Sequence, residues 1–149
     1  MTAKEYLSQA YKLDKQADMI IQKADALRKS LYGRGQNGES GKQTSSGDSL
    51  AKAIAKVVDY ERKADEIIDR LVDMRIEIEN TISLVPDPVQ REVLERRYLM
   101  YQPFEGGYDK KTGVYIKGID ESMGYSARQI YRFHGYGLQK IKKDVSECQ

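Results

Sequence analysis

Between Ser126 and Lys143 the chain collects side chains suited to gripping a polyanion and reading its bases. Arg128 and Arg132 can each clamp guanine through two parallel hydrogen bonds, and Gln129 can do the same to adenine. Ser126, Ala127 and Tyr131 share their turns, and His134 follows as a phosphate contact or a packing residue. Lys140, Lys142 and Lys143 add charge that would meet phosphates and make affinity salt-dependent. Residues 126–143 hold five basic residues and no acid, whereas residues 1–85 balance fourteen Lys/Arg against fourteen Asp/Glu. A basic block inside a chain of net charge +2 points to a polyanion site, with a solvated helix face as the alternative, and the base-reading side chains beside it make double-stranded DNA the expected partner.

Groups that read bases must be held on a rigid helix, and IKGIDESMGYSARQIYRFHGYGLQKIKK (116–143) has the required pattern. A helix-turn-helix needs a short helix, a turn with glycine at its apex, and a second helix packed through a few apolar positions. Gly124 fits the turn. Ile119 and Met123 fit the inner face of the first helix, Tyr125 plugs the turn, and Ile130, Phe133, Leu138 and Ile141 line the second. Ser126 and Gln129 form a capping box that starts that helix. With this face buried, Ala127, Arg128, Gln129, Tyr131 and Arg132 point outward from the turns that enter a major groove.

Other chemistry lacks its members. His134 is the one histidine and Cys148 the one cysteine, so neither a metal site nor a nucleophile–base pair can be assembled from them. Carboxylate pairs such as Asp65/Asp69 and Asp73/Glu77 lie at helical spacing among basic residues and read as a solvated face. Seven tyrosines from Tyr98 to Tyr136 could stack on bases, although packing is the commoner fate. The expectation is no enzyme, no metal and no other cofactor. No window approaches the roughly 18 apolar residues of a membrane span, and MTAKEYLSQAYK lacks the apolar core of a secretory signal. A cytoplasmic location and no membrane partner are expected.

The supporting elements follow from periodicity. Thr2–Leu31 predicts one long helix, opened by a Thr2–Glu5 capping box. Its seam runs through Ala10, Leu13, Ala17, Ile20, Ala24, Leu27 and Leu31 in steps of three and four. The glycine- and serine-rich stretch 33–49 reads as a flexible loop. A second helix, Leu50–Leu84, is capped by Asp48 or Ser49. Its seam is Leu50, Ile54, Val57, Ala64, Ile68, Leu71, Ile78, Ile82 and Val85; Glu61 and Arg75 interrupt it, with Tyr60 and Met74 as alternatives. Folded back on itself, this 1–85 domain leaves faces uncovered, so it is expected to pack on the C-terminal domain or to pair with a second copy as a homo-oligomer, a dimer first.

Pro86-Asp87-Pro88 opens a second domain, 86–149. Asp87 reads as N-cap, Gln90 as its capping-box partner, and Pro88–Tyr101 as a helix ended by Pro103, with Val89, Val93, Leu94 and Tyr98 facing a core. Residues 104–118 read as an inserted β-hairpin turning at Asp109–Gly113, with a disordered lysine-bearing loop as the alternative; Lys110 and Lys111 are candidate wing contacts to DNA, or the segment contacts another protein. The fold class is mainly α: a long antiparallel helical hairpin plus a C-terminal helix-turn-helix with a small inserted β-hairpin.

QREVLERRYLMY (90–101) followed by IKGIDESMGYSARQIYRFHGYGLQKI (116–141) resembles region 4 of sigma-70-type factors. The layout also resembles small phage and prophage proteins of Gram-positive bacteria, with an MTAKEYLSQAY-like start, two long helices, and MGYS and R-x-HG near the end. Those are similar to RinA/ArpU-type activators of phage late genes. The resemblance covers Met1 to about Leu31 and Leu50 to Lys143. It implies a phage- or prophage-encoded, sequence-specific transcriptional regulator, with RNA polymerase as a candidate partner. Residues 104–118 depart from the sigma pattern as an insertion, and Asp120 stands where the motif has a small residue. Sigma's base-reading arginine, glutamate and glutamine fall on Ala127, Arg128 and Arg132, so standard promoter specificity is not implied. Two other functions fit the same sequence. One is a small-terminase-like DNA-recognition subunit, marked by a closed ring of subunits. The other is a phage interaction or inhibitor protein, anti-CRISPR-like, that acts on a host protein through the helical hairpin or Tyr108–Tyr115.

Overall fold

The computed structural model describes the backbone of residues 1–36 and 46–147 and the side chains of residues 1–31 and 47–141. At 76% helix it is mainly helical, and the two short strands are a detail within helical architecture. The elements are α1 (Ala3–Leu7), α2 (Gln9–Gln36), α3 (Ser46–Ser83), α4 (Pro88–Tyr98), β1 (Gly107–Tyr108), β2 (Tyr115–Ile116), α5 (Ile119–Met123) and α6 (Ala127–Glu147). Contacts divide the chain into two compact units, one of Met1–Tyr11 with Asp73–Gln149 and one of Lys12–Val72. The units therefore part within helices rather than after residue 85, where Pro86 suggests a boundary.

The Thr2–Glu5 capping box forms, with Thr2 N–H donating to Glu5 Oε2 at 2.8 Å. The expected single helix breaks at Ser8, whose Oγ donates to the Lys4 carbonyl at 2.7 Å and so competes with the backbone ladder. α2 runs five residues past Leu31, and α3 begins ahead of Asp48 and Ser49, which sit in its first turn instead of capping it. Between those helix ends, residues 37–45 of the expected loop lie outside the described residues.

In the Lys12–Val72 unit, Ala17, Ala24, Val57 and Ala64 are buried. Leu13, Ile20, Leu27, Leu31, Ala53, Tyr60, Ile67 and Leu71 are half-buried. On α3 the buried rhythm is thus 53, 57, 60, 64, 67, 71. Leu50, Ile54 and Ile68, expected in this seam, are exposed, because a neighbouring position carries the contact. Tyr60 takes its place in the seam. Glu61, which breaks the apolar stripe, forms an ion pair with Arg28 of α2.

In the other unit, Asp87 caps α4 by accepting from the Val89 and Gln90 N–H groups at 2.8 and 3.2 Å. Gln90 is not the cap's partner: it is buried, and its Oε1 accepts from Lys140 Nζ of α6 at 2.7 Å. α4 stops at Tyr98, before Pro103, and Tyr101 turns the chain with a φ of 56°. Arg75 of α3 holds that turn, donating to the Leu99 carbonyl at 2.9 Å and to the Tyr101 hydroxyl at 3.1 Å. A cation at the end of a helix satisfies carbonyls that have no partner within it. The core gathers around Val93, Ile119 and Ile130, with Phe104, Met123, Tyr125 and Phe133 packed against them.

Two glycines on α6 separate packing from backbone preference. A Cβ on Gly137 would lie 2.9 Å from Leu94 Cδ1, and Leu94 has no exposed surface, whereas one on Gly135 would meet nothing within 4 Å. Gly135→Ala should therefore stabilise by about 0.5–1 kcal/mol through helix propensity alone. Gly137→Ala should fall below Gly135→Ala by about 1–3 kcal/mol, the cost of overpacking. Paired urea denaturation curves check the order; equal effects would mean that α4 and α6 are not in close contact at Gly137.

Candidate nucleic-acid interface

The short helix α5 is placed by the segment before it. Its first two N–H groups donate to the Pro103 and Phe104 carbonyls at 2.9 and 3.2 Å. This approach needs Gly118, where a Cβ would come within 2.2 Å of the Gly106 nitrogen. Asp120 is half-buried, and its Oδ1 accepts from the Glu121 N–H at 2.8 Å, so the carboxylate finds its partner within its own helix. Gly124 ends α5 in the left-handed conformation, φ 73° and ψ 29°, and its N–H donates to the Asp120 carbonyl at 2.9 Å. An L side chain there would be strained, which is why the turn takes glycine.

α6 starts on the expected capping box. Gln129 N–H donates to Ser126 Oγ at 3.3 Å, and Ser126 N–H donates to Gln129 Oε1 at 3.1 Å. Arg128, Gln129, Tyr131 and Arg132 are exposed, Ala127 is half-buried, and Ile130 between them is fully buried. The capping box qualifies one expectation. Gripping adenine takes both amide atoms of a glutamine, and the oxygen of Gln129 already serves its own helix. Tyr131 lies against Phe104, with ring centroids 4.9 Å apart.

Two of the candidate phosphate contacts are engaged elsewhere. His134 is turned into the packing: its Nε2 and the Tyr98 hydroxyl share a hydrogen bond of 2.8 Å, and Phe104 meets it edge-on at 4.8 Å. Burial, with the Arg97 and Lys4 charges nearby, pushes its pKa down to about 4, so the ring is neutral at physiological pH. Burial likewise pushes the Tyr98 phenol up to about 12. Lys140 is half-buried on Gln90. The side chains of Lys142 and Lys143 lie outside the described residues.

Lys110 and Lys111 are exposed on the turn between β1 and β2. The strands pair antiparallel, Gly107 with Ile116 and Tyr108 with Tyr115. Gly113 has a φ of 70°, and Asp109 Oδ1 accepts from the Lys111 N–H at 3.0 Å. The Tyr115 hydroxyl donates to Glu121, which ties β2 to α5 and raises the phenol pKa to about 12.

Sequence reasoning missed Phe104. It was placed at the start of the insertion, yet it is packed against the core with Arg97 over its ring at 4.4 Å. The available signal was one of only two phenylalanines in the chain standing directly after a proline. Searches against protein-family models, curated proteins and solved structures find no match for this chain. No helix among the described residues is long and apolar enough to cross a membrane.

The histidine gives a pH test. Its folded-state pKa of about 4 lies below the ordinary 6.5, so on acidification the unfolded chain takes up the proton first. The stability it contributes is complete above pH 6.5 and is lost as pH falls towards about 4. The unfolding midpoint of the native chain should drop across that window more than that of His134→Gln. Parallel curves would mean that the imidazole is solvated.

Proposed function

We propose that this chain is a sequence-specific reader of double-stranded DNA. In this reading α5, the Gly124 turn and α6 form a helix-turn-helix joined to an antiparallel helical hairpin, in a phage- or prophage-encoded transcriptional regulator working in the bacterial cytoplasm. One observation carries it. Arg128 and Arg132 stand one turn apart and exposed at the start of α6, while Ile130 between them is fully buried. A helix anchored on one side and presenting two arginines on the other is what major-groove recognition requires. With Gln129 engaged in its cap, the arginines carry base readout and guanine is the favoured target. Lys110 and Lys111 supply phosphate contacts beside the groove. RNA polymerase is the proposed partner by which such a regulator would act.

A second reading, a protein that captures a host protein, draws on the strands. Tyr108, Val114, Tyr115 and Ile116 are all exposed, Tyr108 by 75%. Exposed aromatic and aliphatic groups clustered on one short element fit a protein contact.

Selection from random duplexes separates the two readings. DNA reading expects an enriched site, and Arg128→Ala or Arg132→Ala should each weaken binding to it by about 1–3 kcal/mol, roughly 5- to 150-fold. Lys110→Ala, Lys111→Ala and Lys142→Ala should weaken all duplexes alike and lower the salt slope by about 1 per contact. A selection that enriches nothing would sink base readout and leave the protein-capture reading.

A further inference from the structure

α3 carries a second apolar stripe that its own seam does not use. Leu50, Ile54, Val58, Ile68, Val72 and Ile76 are between 37 and 56% exposed. The last three follow the first three by eighteen residues each, five full turns at 3.6 residues per turn, so all six share one face. The face away from it is charged, through Lys52, Lys56, Asp59, Lys63, Glu66 and Arg70. The stripe also reads the same in both directions about residue 63: Leu50 mirrors Ile76, Ile54 mirrors Val72, and Val58 mirrors Ile68.

We infer that this stripe pairs two copies of the chain, α3 against α3, antiparallel about a two-fold axis at residue 63. A two-fold interface must present the same patch from both sides, and a stripe palindromic in position meets that condition in one register. Its two halves are complementary in shape as well. The first half borders a groove of about 390 Å³ lined by Leu31, Leu50, Ile54, Val57 and Val58, with the Arg28–Glu61 ion pair also in its wall. The second half supplies Ile68, Val72 and Ile76 as a ridge, and the axis seats each ridge in the other copy's groove.

The centre of the stripe is charged and selects direction. Glu61 is neutralised by Arg28 of its own chain. That leaves Arg62 and Asp65. Antiparallel pairing about residue 63 sets Asp65 level with the partner's Glu61, which Arg28 already neutralises, and one residue from the partner's Arg62 on the flank of the stripe, whereas parallel pairing sets Asp65 against its own copy. Arg62 now holds Asp59 at 3.2 Å in a contact that is mostly solvent-exposed, so exchanging it costs little. The inference does not depend on DNA reading, and its test uses no DNA.

The full chain, with Cys148→Ser to remove the native thiol, should sediment as a dimer at micromolar concentration. Adding Ile54→Cys and Val72→Cys together should give a disulfide-linked dimer under mild oxidation. Ile54→Cys alone should not, since the two copies of residue 54 stand about 27 Å apart, eighteen residues at 1.5 Å. Arg62→Asp should weaken the dimer tenfold or more, and Arg62→Asp with Asp65→Arg should restore it. Circular dichroism of each variant checks that the helices stay folded, as expected for exposed positions. A monomeric native chain, cross-linking through Ile54→Cys alone, or failure of the charge exchange to rescue would each overturn the proposal.

Discussion

Val93, Ile119 and Ile130 have no exposed surface, and they come from three different helices. A helix of five residues such as α5 has no independent stability, because nucleating a helix costs more than one turn of hydrogen bonds returns. It exists because Ile119 is buried and because the Pro103 and Phe104 carbonyls occupy its leading N–H groups. α6 is fixed in turn by Ile130, so the rotation that buries Ile130 also determines which way Arg128 and Arg132 face. The outward face of the candidate interface is set from inside.

Much of this was legible because it is local. The Thr2–Glu5 and Ser126–Gln129 capping boxes, the Asp87 cap, the Gly124 turn and the strand pair about Gly113 each depend on residues a few positions apart. What sequence did not give depends on distant partners. Gln90 fits a capping box by spacing, yet Lys140, fifty residues on, takes its oxygen. His134 was open between phosphate and packing until Tyr98 and Phe104 closed around it. The α3 seam was mis-stepped at Leu50, Ile54 and Ile68 for a related reason. Apolar residues there satisfy two overlapping stripes, and periodicity alone does not say which stripe faces α2.

The two residues that break the α3 pattern share one logic. A charged group inside an apolar stripe is costly unless it finds a counter-group. Glu61 finds Arg28, and Arg75 finds the carbonyl end of α4 and the Tyr101 hydroxyl. The left-handed turn at Tyr101 costs roughly 1–2 kcal/mol for a residue with a Cβ. Arg75 on its hydroxyl and Tyr11 edge-on against its ring at 5.3 Å offset that strain.

The unit that holds the candidate interface is sewn from both ends of the chain. Tyr6 bonds to Glu77 and to Thr81 across 71 and 75 positions of sequence. During synthesis, at about 5–20 residues per second, α1 leaves the ribosome seconds before any of those partners exists. Five residues cannot hold a helix unaided over that interval. α1 is therefore made before the partners that hold it, and it can settle only once the stretch of α3 that carries Glu77 and Thr81 has followed.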